Sequence, residues 1–177
     1  MARQGEATAG PRGHHGPVQT RHINGLTIRL LRNGDTQTVS ALFERLGPRS
    51  RERRFYGAKP RLSTHDLRVL ARVDAENHVL VGYIGADPEP VGIARLVRDG
   101  NAAEVAFVVA DAYQGQGIGT ILTRELAADA RAAGISELVA TICGDNERAV
   151  ALLARIGKSL QVRWRGSERE LVARLEG

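Results

Sequence analysis

The segment Gln114–Thr120 has glycine at every second position from its second residue to its sixth. It follows an apolar run, Glu104–Val109, and precedes a long amphipathic stretch, Ile121–Gly134, so the pattern predicts a strand, a glycine loop and a helix. The start of a helix exposes backbone N–H groups without partners at the positive end of the helix dipole. Because glycine lets an anion approach the backbone closely, the segment predicts a site for the phosphate or pyrophosphate of a cofactor.

The spacing of these glycines argues against two common phosphate-binding motifs. The dinucleotide fingerprint requires G-x-G-x-x-G, and the phosphate loop of NTPases requires G-K-[ST]. Here the spacing is G-x-G-x-G and the loop contains no lysine. The remaining interpretations are a different phosphate-binding loop or an ordinary glycine-rich connection between a strand and a helix.

The order Gln-x-x-Gly-x-Gly directly after a strand resembles the acyl-CoA pyrophosphate loop of the GNAT superfamily of N-acyltransferases. The following segments have the superfamily's order: a strand at Glu137–Ile142, a helix at Asn146–Gly157, and two closing strands at Leu160–Trp164 and Glu170–Leu175. The resemblance covers roughly residues 26–175.

Two further stretches, Arg49–Ser63 and Ala103–Asp111, narrow the resemblance. They are similar to the acetyltransferase domain of actinobacterial protein lysine acetyltransferases that carry a cyclic-nucleotide-binding domain. The same domain type is fused to acyl-CoA synthetase-like proteins, and no such partner domain fits within 177 residues. The resemblance implies an acetyl-CoA-dependent N-acetyltransferase whose acceptor is a protein lysine.

The resemblance also implies where acetyl-CoA binds. In this fold the strand before the glycine loop, the family's fourth core strand, splays from its fifth core strand, and the gap admits the pantetheine arm. The backbone of the strand before the glycine loop pairs with the arm, and the loop holds the pyrophosphate. Asn146 forms a hydrogen bond with the pantetheine, caps its own helix, or does both. The implied cofactor-binding residues are Phe107, Val108, Val109, Gln114, Gly115, Gln116, Gly117, Ile118, Gly119, Thr120 and Asn146.

Glu104 is the one acidic residue inside the apolar strand before the loop. By the resemblance it aligns with the glutamate proposed as general base in the protein lysine acetyltransferases. A lysine-like amine has a pKa of about 10.4 and a free glutamate one of about 4.3, a gap of roughly 8 kcal/mol. Such a base works best when burial raises its pKa or when water relays the proton. The alternative is an outward-facing strand residue without a catalytic role.

Two positions depart from the family pattern. Many members have a tyrosine seven residues after the helix-opening asparagine, where it protonates the leaving thiolate, but Leu153 stands there in this chain. CoA then leaves as a thiolate or takes a proton from water; Tyr83 and Tyr113 have no predicted position at this point. Lys158 replaces a usual aromatic residue, which affects the packing of the closing strands rather than the cofactor site.

Composition favours a single domain in the cytoplasm, where cysteine remains in the reduced thiol form. The chain has 177 residues, of which 42% are apolar, enough for a core. It has no apolar run of about 18 residues and no signal-peptide pattern, so we expect no association with membranes. Cys143 is the only cysteine, which excludes an intrachain disulfide, and we expect it to be a small core residue rather than a nucleophile. No metal site is expected, and His14 and His15 belong to a predicted tail.

Basic residues are concentrated in one segment. The net charge is +5, and residues 45–61 contain seven basic side chains. This segment could contact nucleic acid, an acidic protein or the phosphates of CoA, or it could be an ordinary solvated surface. Aromatic residues make up only 4% of the chain, which argues against stacking on single strands and makes nucleic acid an unexpected partner.

The order of elements predicts an α+β fold with a GNAT-like mixed, mostly antiparallel central sheet flanked by helices. Residues 1–22 read as a disordered leader and residues 23–177 as the acetyltransferase domain. Asp35 is a predicted N-cap, and Ser63 with Asp66 has the spacing of a capping box. Further strands are predicted at Leu26–Leu31, His78–Ile84, Val91–Val97 and Ala102–Val109, and short helices around Val39–Leu46, Arg49–Tyr56 and Leu67–Arg72.

The sequence leaves functions from different classes open. The leading one is an N-acetyltransferase that acts on a protein lysine, and its rival within the enzyme class is a small-molecule amine acetyltransferase. A non-catalytic acyl-CoA-binding sensor is favoured by the missing tyrosine and disfavoured by the presence of Glu104. A nucleic-acid-binding module has no motif to support it.

Overall fold

The computed structural model describes residues 20–85, 88–144 and 146–175. The described residues form an eight-stranded sheet in the order β1-β2-β3-β4-β5-β6-β8-β7. β5 and β6 are parallel, and the other neighbouring strands are antiparallel, which confirms the mixed, mostly antiparallel sheet. The strands are β1 Thr20–Ile23, β2 Leu26–Leu30, β3 Asn77–Ile84, β4 Gly92–Asp99, β5 Ala102–Val109, β6 Glu137–Cys143, β7 Ser159–Arg165 and β8 Glu168–Arg174.

Helices cover both faces of this sheet. Alternation along β3 shows the two sides: Leu80 packs in the core beneath α4 and α5, whereas Val79 and Val81 pack in a second core with α1 and the end of α3. A strand buried on both faces has no polar side, which explains why β3 reads as a continuous apolar run. The helices are α1 Thr36–Glu44, α2 Pro48–Phe55, α3 Thr64–Leu70, α4 Ile118–Ala132 and α5 Glu147–Ala154.

Three helices begin where the capping residues predict. The Asp35 carboxylate accepts a hydrogen bond from the backbone N–H of Thr38 at 3.0 Å, ahead of α1. Ser63 and Asp66 form the complete capping box of α3, and Asn146 caps α5. Each cap provides an acceptor for a backbone N–H group that has no partner within its own helix.

The N-terminal boundary differs from the prediction. The predicted leader, with His14 and His15, lies outside the described residues except for residues 20–22, which are the start of β1. Asn24 and Gly25 both have a positive φ and turn the chain into a hairpin, so β1 pairs with β2. The Arg21 side chain also forms ion pairs with Glu125 and Asp129 of α4, and these contacts hold the strand.

Candidate active site

The parallel strands β5 and β6 pair over only three residues. Ala102, Ala103 and Glu104 lie opposite Glu137, Leu138 and Val139. Both strands then continue without pairing to each other, β5 as far as Val109 and β6 as far as Cys143. A cleft of about 490 Å³ opens between them, and its walls carry backbone groups that the sheet leaves without a partner strand.

The cleft extends from the splayed strands to the glycine loop and the start of α5. All of the cofactor-binding residues expected from the resemblance line it, with the exception of Gln116. The exposed Gln116 side chain instead donates a hydrogen bond to the carbonyl oxygen of Ala112 at 3.2 Å. The fold therefore brings together residues from β5, the loop and α5 that are separated by up to about 40 positions in the chain.

The glycines of the loop lie in two different backbone environments. Gly115 and Gly117 have φ values of 79° and 83°, a left-handed backbone that strongly favours glycine. Gly119 lies inside the first turn of α4, where an added Cβ would be 3.4 Å from Cδ1 of Leu152. The helix α4 begins at Ile118, three residues before the predicted amphipathic stretch that starts at Ile121. Gly117 is its N-cap.

Gln114 fastens the loop to its neighbours through its side chain. Its amide nitrogen donates to Oγ of Ser50 and to the carbonyl oxygen of Val109, both at 3.1 Å. Its amide oxygen accepts from Nη1 of Arg148 at 3.3 Å. Since these contacts join α2, β5 and α5, the side chain of Gln114 orients the loop rather than presenting itself freely to a ligand.

Glu104 lies at the point where β5 and β6 separate, as the last residue of β5 that pairs with β6. Its side chain is exposed, and alternation along β5 places it on the face of α1–α3, together with Ala106 and Val108. Ala103 and Val105 point to the opposite face, into the core beneath α4. Glu104 is therefore outside the walls of the main cleft and next to its narrow end.

Tyr56 is a cleft residue that no sequence motif indicated. It follows α2 with a φ of 58°, and its hydroxyl donates a 2.6 Å hydrogen bond to the carbonyl oxygen of Thr141 on β6. Burial raises the pKa of Tyr56, so the hydroxyl stays protonated at neutral pH. Tyr113 also lines the cleft, whereas Tyr83 lies outside it. No periodic signal marks Tyr56, because its position depends on a contact between residues 85 positions apart.

The residues that depart from the family pattern have clear positions. Leu153 is completely buried in the core beneath α5 and offers no proton to the cleft. Lys158 is exposed, and its backbone N–H donates to the carbonyl oxygen of Arg174 at 2.8 Å, which joins the closing strands.

Cys143 is partly exposed, so its assignment to the core was wrong. Leu138, Ala140 and Ile142 are the inward residues of β6, and alternation turns Cys143 to the other face. Burial, helped by the negative charges of Glu168 and Glu52, raises the pKa of the thiol. A thiol with a raised pKa is a poor nucleophile, which agrees with the expectation that Cys143 has no such role.

The basic segment at residues 45–61 divides into two groups. Arg51 stacks on Phe43 and donates to two backbone carbonyl oxygens, and Lys59 pairs with Asp66. Arg53 and Arg54 instead line the cleft, which Arg148 and Arg155 of the α5 region also reach. The segment is thus partly a set of internal contacts and partly a cationic wall of the site.

Within the described residues, no helix is long and apolar enough to cross a membrane. The same residues contain no group of three or more histidine, cysteine or carboxylate side chains arranged to hold a metal ion.

Residues 37–157 match the Acetyltransferase (GNAT) family. This chain belongs to that family, as its glycine loop predicted. It is thus a domain of an acetyltransferase family, and the splayed β5 and β6 are the arrangement expected of the GNAT fold.

Individual relatives agree with this assignment. Acetyltransferase Pat of Mycolicibacterium smegmatis is 34% identical over 147 residues, which are 80% of this chain and 43% of that protein. An acetyltransferase of Pseudomonas aeruginosa is 30% identical over 142 residues, which are 77% of this chain and 75% of that protein. The crystal structure of the GNAT domain of S. lividans PAT superimposes with a TM-score of 0.77 at 26% identity, and covers 85% of this chain and 90% of that domain. The chain thus spans less than half of the length of the Pat relative. The predicted resemblance to the acetyltransferase domain of the actinobacterial Pat proteins is confirmed.

Proposed function

We propose that this GNAT domain transfers the acetyl group of acetyl-CoA directly to the side-chain amine of a lysine on a protein. The observation that carries the proposal is the continuous cleft that runs from the glycine loop, between β5 and β6, toward Glu104. A phosphate-binding loop at one end and a solvent-accessible carboxylate beside the other give the two ends of a transfer site.

The backbone of the cleft fits the donor. The N–H groups of residues 115–120 stand at the N-terminus of α4, where the helix dipole favours a pyrophosphate. The unpaired edge of β5 at Phe107, Val108 and Val109 can bond an extended pantetheine arm as a neighbouring strand would. Asn146 caps α5 with one side-chain oxygen, and its position on the cleft lets its amide reach the same arm.

Glu104 is the proposed general base. The amine must lose a proton before its nitrogen can attack the carbonyl carbon, form the C–N bond and displace the sulfur with its electron pair. Because Glu104 is exposed, a water molecule can stand between its carboxylate and the amine and relay this proton. Leu153 provides no proton, so CoA leaves as a thiolate or is protonated by water or by another group in the cleft.

A protein acceptor is supported by the resemblance of Arg49–Ser63 and Ala103–Asp111 to protein lysine acetyltransferases. The cationic wall gives this a physical basis, because Arg53 and Arg54 would attract acidic residues that flank the target lysine. The same charges would repel a polycationic small molecule.

A second candidate is an acyl-CoA-binding domain that does not transfer the acyl group, which the apolar Leu153 favours. Release of free thiol from acetyl-CoA, measured with acidic and neutral lysine peptides, lysine proteins, spermidine and aminoglycosides, separates the candidates. We expect release with the lysine acceptors, and loss of that release in Glu104→Gln but not in Asp99→Asn, an exposed carboxylate on the neighbouring strand β4. Turnover of polyamines alone, or binding of CoA without turnover of any amine, would contradict the proposal.

A further inference from the structure

Two arginines lie on the α1–α3 face of the sheet, close to the narrow end of the cleft. Arg95 is buried and fully engaged: Nη1 donates to the carbonyl oxygens of Val69 and Leu70 at 2.8 Å and 2.9 Å, and Nη2 donates to Oδ1 of Asn77 at 2.6 Å. These bonds cap the C-terminal end of α3, so Arg95 has a structural role.

Arg54 has no such partners. The partly buried guanidinium lies 5.2 Å from the centre of the Phe55 ring, and it forms no hydrogen bond or ion pair with any residue that the structure describes. Burial lowers the pKa of Arg54, and the charges of Tyr56 and Glu104 act in the opposite direction. None of its nitrogen atoms is among the buried side-chain atoms without a partner in the described residues, so the guanidinium opens to the cleft that it lines and its donors are available to a ligand.

The position of Arg54 indicates which ligand it serves. It lines both the main cleft and a small apolar cavity of about 40 Å³ that lies beneath α1–α3. The glycine loop leads into α4, which packs on the opposite face, so the phosphates of the donor belong to that side. Arg54 and Glu104 share the face from which the amine must arrive.

We propose that Arg54 binds a carboxylate of the acyl acceptor, so that the site prefers acceptors that carry a carboxylate near the reacting amine. This inference rests on the proposed acetyl transfer and names the substrate feature that the site selects. The arriving acceptor has a positive ammonium and a negative carboxylate. Glu104 faces the first and Arg54 the second, and the planar guanidinium can hold a carboxylate through two parallel hydrogen bonds.

The test uses pairs of amidated pentapeptides with a central lysine. One peptide of each pair has a single aspartate at one of the four positions that flank the lysine, and its partner has asparagine at the same position. We expect the wild-type protein to prefer the aspartate peptide in at least one pair by about 10-fold or more in kcat/KM, the usual worth of a charge-assisted pair. β-Alanine and its amide form a further pair, which separates a free amino acid from a peptide side chain as the source of the carboxylate.

Arg54→Gln should abolish this preference through a higher KM for the carboxylate acceptor, so that the aspartate and asparagine peptides have about the same kcat/KM in this variant. Arg54→Lys keeps the charge but loses the planar fork, so an intermediate preference is expected. Arg49→Gln is the matched control, because Arg49 lies on the same helix but is exposed and outside the cleft. Thermal unfolding of each variant shows whether it has folded.

Three outcomes would overturn the inference. One is a wild-type protein that turns over both members of every pair equally. Another is an Arg54→Gln variant that loses kcat on both members with an altered pH profile, which would make Arg54 a residue that positions Glu104. The third is an Arg54→Gln variant that loses succinyl transfer from succinyl-CoA but keeps acetyl transfer unchanged. That result would show that Arg54 binds a carboxylate of the acyl donor instead of one of the acceptor.

Failure of the proposed function is distinguishable from failure of this inference. If the wild-type protein binds CoA but acetylates no amine, the proposed transfer is wrong. Calorimetric titration of the acetylated aspartate and asparagine peptides into the CoA complex then still tests Arg54. Tighter binding of the aspartate peptide that disappears in Arg54→Gln supports the carboxylate site, and equal binding removes it.

Discussion

The hydroxyl of Tyr56 donates a 2.6 Å hydrogen bond to the carbonyl oxygen of Thr141, and this bond links the end of α2 to β6 across the splayed strands. The parallel ladder between β5 and β6 ends at Glu104 and Val139, so the Thr141 carbonyl lies beyond the residues that this ladder pairs. Tyr56 provides that carbonyl with a donor at the point where the cleft must remain open.

The first prediction concerns this bond. Tyr56→Phe removes the donor and should lower the free energy of unfolding by about 1 kcal/mol, the typical net worth of one hydrogen bond. Tyr83→Phe is the control, because Tyr83 lies outside the cleft on β3. Urea unfolding of both variants measures the difference, and equal stabilities would show that the Tyr56 bond contributes nothing in solution.

The second prediction concerns binding of CoA at the glycine loop. Gly117→Glu and Gly119→Glu should both weaken 1:1 binding strongly in calorimetry, because each adds bulk and a negative charge beside the pyrophosphate. Gly117→Glu should also lose stability, since the positive φ of 83° strains any residue with a Cβ. Gly119→Ala, whose Cβ meets Leu152 at an ordinary 3.4 Å, is the milder comparison. If both folded glutamate variants bind CoA normally, the phosphate site lies elsewhere.

The third prediction concerns the proposed base. Glu104→Gln keeps the shape of the side chain but cannot accept the proton, so kcat should fall about 10²–10⁴-fold, as is usual for general acid–base catalysis. Affinity for CoA should change little, because Glu104 is outside the walls of the CoA cleft. A variant within a few-fold of wild type, with an unchanged pH–rate profile, would assign the base to another residue.

The fourth prediction concerns salt. Rates on lysine peptides with acidic flanks should fall as salt rises, because exposed charges are screened over about 10 Å at 0.1 M ionic strength. Rates on neutral peptides should respond much less, and the ratio of kcat/KM between the two peptides measures the effect. Identical salt dependence of both peptides would remove the role assigned to the cationic wall.

The fifth prediction concerns stability and pH. Burial raises the pKa of Asp129, but hydrogen bonds from His78 and Arg21 outweigh this and hold it below its usual value. A carboxyl with a depressed pKa contributes stability above its unfolded pKa, about 3.9 for aspartate, and loses that contribution as pH falls through the folded pKa. Asp129→Asn should therefore be less stable than wild type at pH 7, with a gap that narrows in acid. A gap that stays constant down to about pH 2 would show that the carboxylate does not contribute in this way.

Signals that act over a few residues were readable in the sequence. Asp35, Ser63 and Asn146 begin their helices because each side chain bonds a backbone group only three residues away. The spacing of Gly115, Gly117 and Gly119 predicted a glycine loop before a helix, and two of these glycines have a backbone that other residues rarely adopt. The order of these local signals predicted the mixed sheet, and their resemblance to the GNAT pattern predicted the family.

Tertiary structure alone decided how those elements form a site. The ladder between β5 and β6 stops after three residue pairs, and no strand pattern reports where neighbouring strands separate. Gln114 reaches Ser50 across 64 positions, and Tyr56 reaches Thr141 across 85. The lack of a partner for Arg54 among the described residues is likewise visible only when the surrounding residues are in place. Local patterns are set by dihedral preferences and hydrogen bonds between close neighbours, whereas a cleft is set by contacts between distant segments, which periodicity does not record.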